Sequence, residues 1–151
     1  MDKSQSIDVL NDLLGRTYDA EQGYKEAAEN AKTTELANMF KANAEQRYTF
    51  GHEIKDCIKN FGGTPEKGQT IEGKVHQAWM DIRSTFANDD DLAVLKEVDR
   101  GEAKALETYK EVLENLPKAT SEYNCIDAQC KKIESMQSRI KGLIASYEVT
   151  P

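Results

Sequence analysis

Apolar residues recur along this chain at alternating steps of three and four, which predicts helices throughout and no strand. Five segments emerge. The first, residues 6–31, aligns Leu10, Leu13, Thr17, Tyr24, Ala28 and Ala31, with Ser6 as an N-cap accepting from a first-turn amide. The second, 34–61, carries Leu36, Phe40, Asn43, Arg47, Phe50, Ile54, Cys57 and Phe61, an unbroken seam for left-handed bundle packing. Thr33 caps this second helix, and so short a turn forces an antiparallel hairpin. Gly62-Gly63 ends it through the left-handed conformation that glycine adopts at little cost, and Thr64 to Gln69 forms a loop. A short third segment, 70–86, presents Ile71, Val75, Trp79 and Ile82. The run Asn88-Asp89-Asp90-Asp91 then caps a fourth helix and sets negative charge at its positive end. That helix, 91–116, lines up Leu95, Val98, Glu102, Ala105, Tyr109, Val112 and Leu116 before Pro117 stops it. The fifth, 121–146, repeats the seam with Tyr123, Ile126, Cys130, Ile133, Gln137, Ile140 and Ile144.

A repeat within the pattern predicts the topology. Tyr24-Lys25-Glu26-Ala27-Ala28-Glu29-Asn30 returns 85 residues later as Tyr109-Lys110-Glu111-Val112-Leu113-Glu114-Asn115, and the same offset aligns Leu10 with Leu95, Leu13 with Val98 and Ala20 with Ala105. Two hairpins related by an approximate two-fold follow, residues 6–62 and 91–147, joined by a crossover over 63–90 that contains the short third helix. Seventeen helical residues span roughly 25 Å, enough to run the fourth segment parallel to the second. The expectation is one all-α domain, a ferritin-like four-helix bundle of two antiparallel hairpins.

Composition narrows the function. The 151 residues suffice for one core, and a net charge of −7 argues against nucleic acid and anionic lipid as partners. No stretch reaches the roughly 20 apolar residues of a membrane span, and MDKSQSIDVL has no signal-peptide core. The three cysteines, Cys57, Cys125 and Cys130, lack paired spacing and read as reduced thiols, with Cys57 and Cys130 packed as small hydrophobes, which points to the cytoplasm. No phosphate-binding glycine loop and no arrangement for covalent catalysis is present.

Chemistry concentrates in polar residues on the seams. Counted from the end where the first turn and the fourth helix begin, Glu21, Arg47 and Glu102 all lie roughly 20 Å down the bundle, with Glu134 and Gln137 near the same level. Buried carboxylates that converge are satisfied either by a divalent metal or by a guanidinium with neutral amides. Arg47, Asn43 and Gln137 favour the second arrangement, because a guanidinium repels a cation and bridges carboxylates well. Di-metal bundles use a Glu from each of two helices and Glu-x-x-His from the other two. Here Glu134-x-x-Gln137 ends in an amide and Glu45-x-x-Tyr48 in a phenol. His52 falls on an outer face, and His76 pairs only with Glu72. The expectation is a non-enzymatic bundle, stress-associated or scaffolding, with no cofactor and with self-association open to it. The alternative is an iron- or manganese-binding protein with a degenerate site at Glu21, Glu102 and Glu134.

The stretches Val9-Leu10-Asn11-Asp12-Leu13, Asp19-Ala20-Glu21-Gln22-Gly23-Tyr24, Glu26-Ala27-Ala28-Glu29, Gly62-Gly63-x-Pro65, His76-Gln77-Ala78-Trp79-Met80-Asp81 and Glu97-x-x-Arg100-Gly101-Glu102 also resemble a known pattern. Together they are similar to the ferritin-like bacterial proteins of domain-of-unknown-function family 2383. The resemblance implies a small cytosolic bundle of unestablished activity. It also implies a His in the last helix near the place held here by Gln137, which weakens an inherited metal site further.

Overall fold

The computed structural model describes residues 3–66 and 91–149. Four long helices form there: α1 (Lys3–Asn30), α2 (Thr34–Asn60), α3 (Asp91–Glu114) and α4 (Ser121–Val149). Their boundaries follow local chemistry. Thr33 holds an extended backbone, and its hydroxyl oxygen accepts from the Leu36 amide at 3.3 Å, satisfying a first-turn donor of α2. At the other end Gly62 N–H donates to Lys59 O and Gly63 N–H to Ile58 O, both at 2.9 Å. This is a Schellman closure that requires the positive φ of 84° at Gly62. Gly63 also packs so closely on Ile7 that an added Cβ would lie 2.8 Å from it. Thr120 repeats the capping role for α4, accepting from Tyr123 N at 3.0 Å.

Ser6 departs from its expected role. Helix α1 begins upstream at Lys3, and buried Ser6 donates to Asn115 O at 3.1 Å, tying the start of α1 to the end of α3. The opposite ends are tied by Lys32 N–H donating to Asp91 Oδ1 at 3.0 Å. Helices α1 and α3 are therefore antiparallel. Since α1 and α2 form a tight hairpin, α2 and α3 run parallel, as the repeat predicts. Helix α1 packs on α2 and α3, and α4 packs on α3 and α2, so α2 and α3 face each other across the bundle interior. The expected crossover helix, with Trp79, His76 and Glu72, lies outside the described residues, as do Asn88 to Asp90.

The core divides into two apolar halves. One gathers Tyr24, Phe40, Val94, Leu95, Val98 and Ile140 with their neighbours, and the other Leu10, Phe50, Ile54, Tyr109, Ile126 and Ile133 with theirs. On α1 the inner face follows Thr17, Ala20, Tyr24 and Ala27, so Ala28 and Ala31 sit at its edge and only half-buried. The related asparagines close α1 and α3 identically: Asn30 Nδ2 donates to Glu26 O and Asn115 Nδ2 to Glu111 O, each at 2.8 Å. The repeat is thus a structural one.

Candidate functional site

Between the two apolar halves lies a layer of buried polar side chains: Thr17 from α1, Asn43 and Arg47 from α2, Glu102 from α3 and Gln129 from α4. Arg47 and Glu102 are 1% and 0% exposed, and Arg47 Nη2 donates to Glu102 Oε1 in a direct ion pair across the bundle. The guanidinium carbon stands 5.5 Å from the Tyr24 ring centre and 6.0 Å from that of Phe50, so aromatic faces supply part of what water has lost. Burial opposes a charge on Arg47, but the Glu102 carboxylate overcomes that opposition and raises its pKa above the ordinary arginine value. Among the described residues, Arg47 Nη1, Glu102 Oε2 and Asn43 Nδ2 find no hydrogen-bond partner. A cavity of about 20 Å³ borders Arg47, Thr17, Gly101 and Tyr109 between α1 and α3, room for a single water.

Two tyrosines flank the pair. Burial, reinforced by Glu102 and opposed by Arg47, holds the Tyr24 phenol well above its usual pKa. Burial likewise raises Tyr109, with the nearby Arg47 charge pulling the other way. Tyr109 donates to Gln129 Oε1 at 2.6 Å, and Gln129 Nε2 donates to Glu53 Oε1 at 2.8 Å and to Phe50 O at 3.3 Å. A hydrogen-bonded line therefore runs from the centre of the bundle to half-exposed Glu53.

Of the residues expected here, Asn43, Arg47 and Glu102 come together, and three do not join them. Glu21 lies off the inner face and pairs with Lys25 Nζ at 2.8 Å. Glu134 is exposed. Gln137 is half-buried and donates to Asp99 Oδ1 at 3.2 Å, away from the ion pair. Level along the axis is not direction around it. Glu21 follows Ala20 by one residue, which turns its side chain about 100° from the seam. The 85-residue offset carries the better signal, since it pairs Glu102 with Thr17. Gln129 lies one residue from the predicted seam position Cys130, on the same broad inner face of α4. It stands three residues after Ile126 and four before Ile133, both fully buried. Among the described residues no group of three His, Cys, Asp or Glu side chains is placed to hold one ion. His52 is exposed, as expected, and meets Tyr48 edge-on at 4.7 Å.

Comparison with known proteins agrees with this architecture. The model of a family described as domain of unknown function (DUF2383) matches residues 5–115. Among solved structures, a mutant of Dps1 from Mycobacterium smegmatis superposes with a TM-score of 0.79 over 94% of this chain and 96% of that one, at 19% identity. At that identity the likeness speaks to the all-α, ferritin-like four-helix fold alone. No curated protein matches the chain by sequence.

Proposed function

The chain belongs to the domain-of-unknown-function family DUF2383, and from that premise we propose that its bundle acts as a non-enzymatic, metal-independent module of stress-associated or scaffolding kind. One observation carries the reading: the fully buried Arg47–Glu102 pair at the centre of the bundle. A two-metal centre needs several carboxylates facing one another, and among the described residues one buried carboxylate, Glu102, faces a guanidinium. The positive charge repels a cation and already neutralises the acid. The residues present therefore do not fit such a centre. Thr17 deepens the mismatch, because its repeat partner is Glu102 and its hydroxyl is turned back to Leu13 O at 2.8 Å.

For self-association, the outer face of α1 and α2 is the surface to test. It holds a groove of about 530 Å³ beside Tyr48, which is 57% exposed. Charges of both signs line it, among them Glu21, Lys25, Lys41 and Glu45, a pattern that suits an identical face on a second copy. Light scattering on Tyr48→Glu beside the parent chain measures whether that face pairs.

A second reading, a degenerate iron or manganese site using Glu21, Glu102 and Glu134, draws on the buried Glu102 Oε2 that lacks a partner among the described residues. Anaerobic titration of the apo protein with Fe(II), Mn(II) and Zn(II), followed by melting temperature, separates the two. An unchanged melting temperature is expected. Stabilisation of about 2 kcal/mol or more at modest metal excess, abolished by Glu102→Ala, would overturn the proposal in favour of the metal.

A further inference from the structure

Three side-chain meetings fix how α2 and α4 face each other. Asn60 Nδ2 donates to Glu122 Oε2 at 3.1 Å, Gln129 Nε2 donates to Glu53 Oε1 at 2.8 Å, and Lys132 Nζ stands 5.9 Å from the Phe50 ring centre. The steps match. From Asn60 back to Glu53 is seven residues, as is Glu122 forward to Gln129, and three more on each helix reach Phe50 and Lys132. This is one antiparallel register, held over three helical turns. Cys57 lies three residues before Asn60, and Cys125 three after Glu122, so the same register sets the two sulfurs opposite each other. Each sulfur is among the groups that act on the other's proton. Cys57 is 4% exposed, whereas Cys125 is half-buried and reachable from solvent. Cys130, five residues beyond Cys125, is buried in the apolar half that holds Leu10, Phe50 and Ile126.

We propose that Cys57 and Cys125 form a reversible disulfide that ties α2 to α4, with a hydroperoxide as the oxidant. Cys125, the accessible sulfur of the two, attacks as thiolate. An S–O bond forms, the O–O bond breaks, and the departing oxygen takes a proton and leaves as water or alcohol. Cys57 then displaces the hydroxyl from Cys125. The S–S bond forms, the S–O bond breaks, and the Cys57 proton leaves with the hydroxide as water. Two electrons pass from the sulfurs to the peroxide, and an external dithiol reverses the change by exchange.

The surroundings set the tempo. Burial first, then the neighbouring sulfur and the acids Glu122 and Asp56, push the Cys57 thiol up to about 12. Burial and the acids Glu53, Glu122 and Asp56 raise Cys125 too, although the Cys57 thiol pulls the other way. Both thiols stay protonated at neutral pH, so the cross-link forms under sustained oxidant and faster as pH rises.

The test treats the full chain with hydrogen peroxide at pH 8, counts free thiols, and maps peptides without reduction. Free thiols are expected to fall from the three of the sequence to one, with Cys57 and Cys125 joined in a single chain and dithiothreitol restoring all three. Cys130→Ala retains the cross-link. Cys125→Ala, at a half-buried position that tolerates truncation, loses it, and Cys57→Ala gives the same loss. Linkage through Cys130, linkage only between chains, or oxidation of Cys125 to sulfinic acid with no S–S bond would each overturn the proposal.

Discussion

Helices α1 and α3 are two copies of one pattern, and the positions where the copies differ say more than those where they agree. Leu10 and Leu95 are both fully buried, Tyr24 and Tyr109 both point inward, and Asn30 and Asn115 close their helices by the same bond. Seventeen residues into the chain the copies part: Thr17 turns its hydroxyl back to its own helix, while Glu102 reaches across to Arg47. Symmetric positions near a two-fold axis are where a bridged pair of metals would draw matching carboxylates. Among the described residues the buried layer holds one carboxylate, Glu102, matched with a guanidinium from α2. The symmetry that remains is that of packing.

The largest effect is expected where the copies diverge. Arg47→Ala leaves Glu102 buried without its cation, at a cost of about 3 to 5 kcal/mol, and Glu102→Ala strands the guanidinium to similar effect. Thr17→Val, at the related position, is expected to cost no more than about 1 kcal/mol, because the Leu13 carbonyl keeps its helical bond. The double change Arg47→Met with Glu102→Leu is expected to return stability to the parent level or above, since apolar side chains of similar volume often replace a buried pair without loss. Urea midpoints of the four variants measure the asymmetry. Equal costs at Thr17 and Glu102 would break the comparison.

The two tyrosines allow a finer test. Tyr109→Phe leaves Gln129 Oε1 without its donor in the interior, a loss of about 1 to 3 kcal/mol. Alkaline pH probes the same groups without mutation. Tyr24, Tyr109 and Cys57 all hold their protons more tightly in the fold than at their ordinary values of 10.0, 10.0 and 9.0. The unfolded chain therefore releases protons that the native state keeps. Stability is full below about pH 9 and declines as pH rises, by up to about 1.4 kcal/mol per pH unit for each retained proton. Melting temperatures from pH 7 to 11 are expected to fall less steeply for Tyr109→Phe, relative to its own value at pH 7, than for the parent chain.

The same contrast explains what the sequence made legible. The four long helices, the hairpins, the Schellman end at Gly62 and the parallel run of α2 and α3 follow from apolar spacing, punctuation and the 85-residue repeat, all of which act locally or as one pattern. The polar layer was legible only where polar residues sat squarely on a seam, as Asn43, Arg47 and Glu102 do. Axial counting brought in Glu21, Glu134 and Gln137, whose azimuth sends them elsewhere, and it passed over Gln129. Asn11 was equally hidden. It is buried, donates to Thr64 O at 3.3 Å and accepts from Glu66 N at 2.9 Å, clamping the chain after α2. Partners of that kind depend on which helices meet, and so does the facing of Cys57 and Cys125.

The smallest expected effect tests whether the likeness of the two hairpins extends to their turns. Thr33 and Thr120 occupy matching places, each giving its hydroxyl oxygen to an amide three residues on, at 3.3 Å and 3.0 Å. Thr33→Ala and Thr120→Ala each remove one cap, worth about 1 kcal/mol. Their surroundings differ in one respect. Ala119, just before Thr120, is held at a φ of 61°, a conformation that costs a residue with a Cβ about 1 to 2 kcal/mol. That strain loads the second turn and not the first. Ala119→Gly is therefore expected to stabilise the chain by about 1 kcal/mol, while the two cap deletions match each other within about 0.5 kcal/mol. Thermal melts of the three variants decide it: a cap loss at Thr120 well below that at Thr33 would mean the strained turn had already weakened the cap, and that the hairpins share a pattern without sharing its energetics.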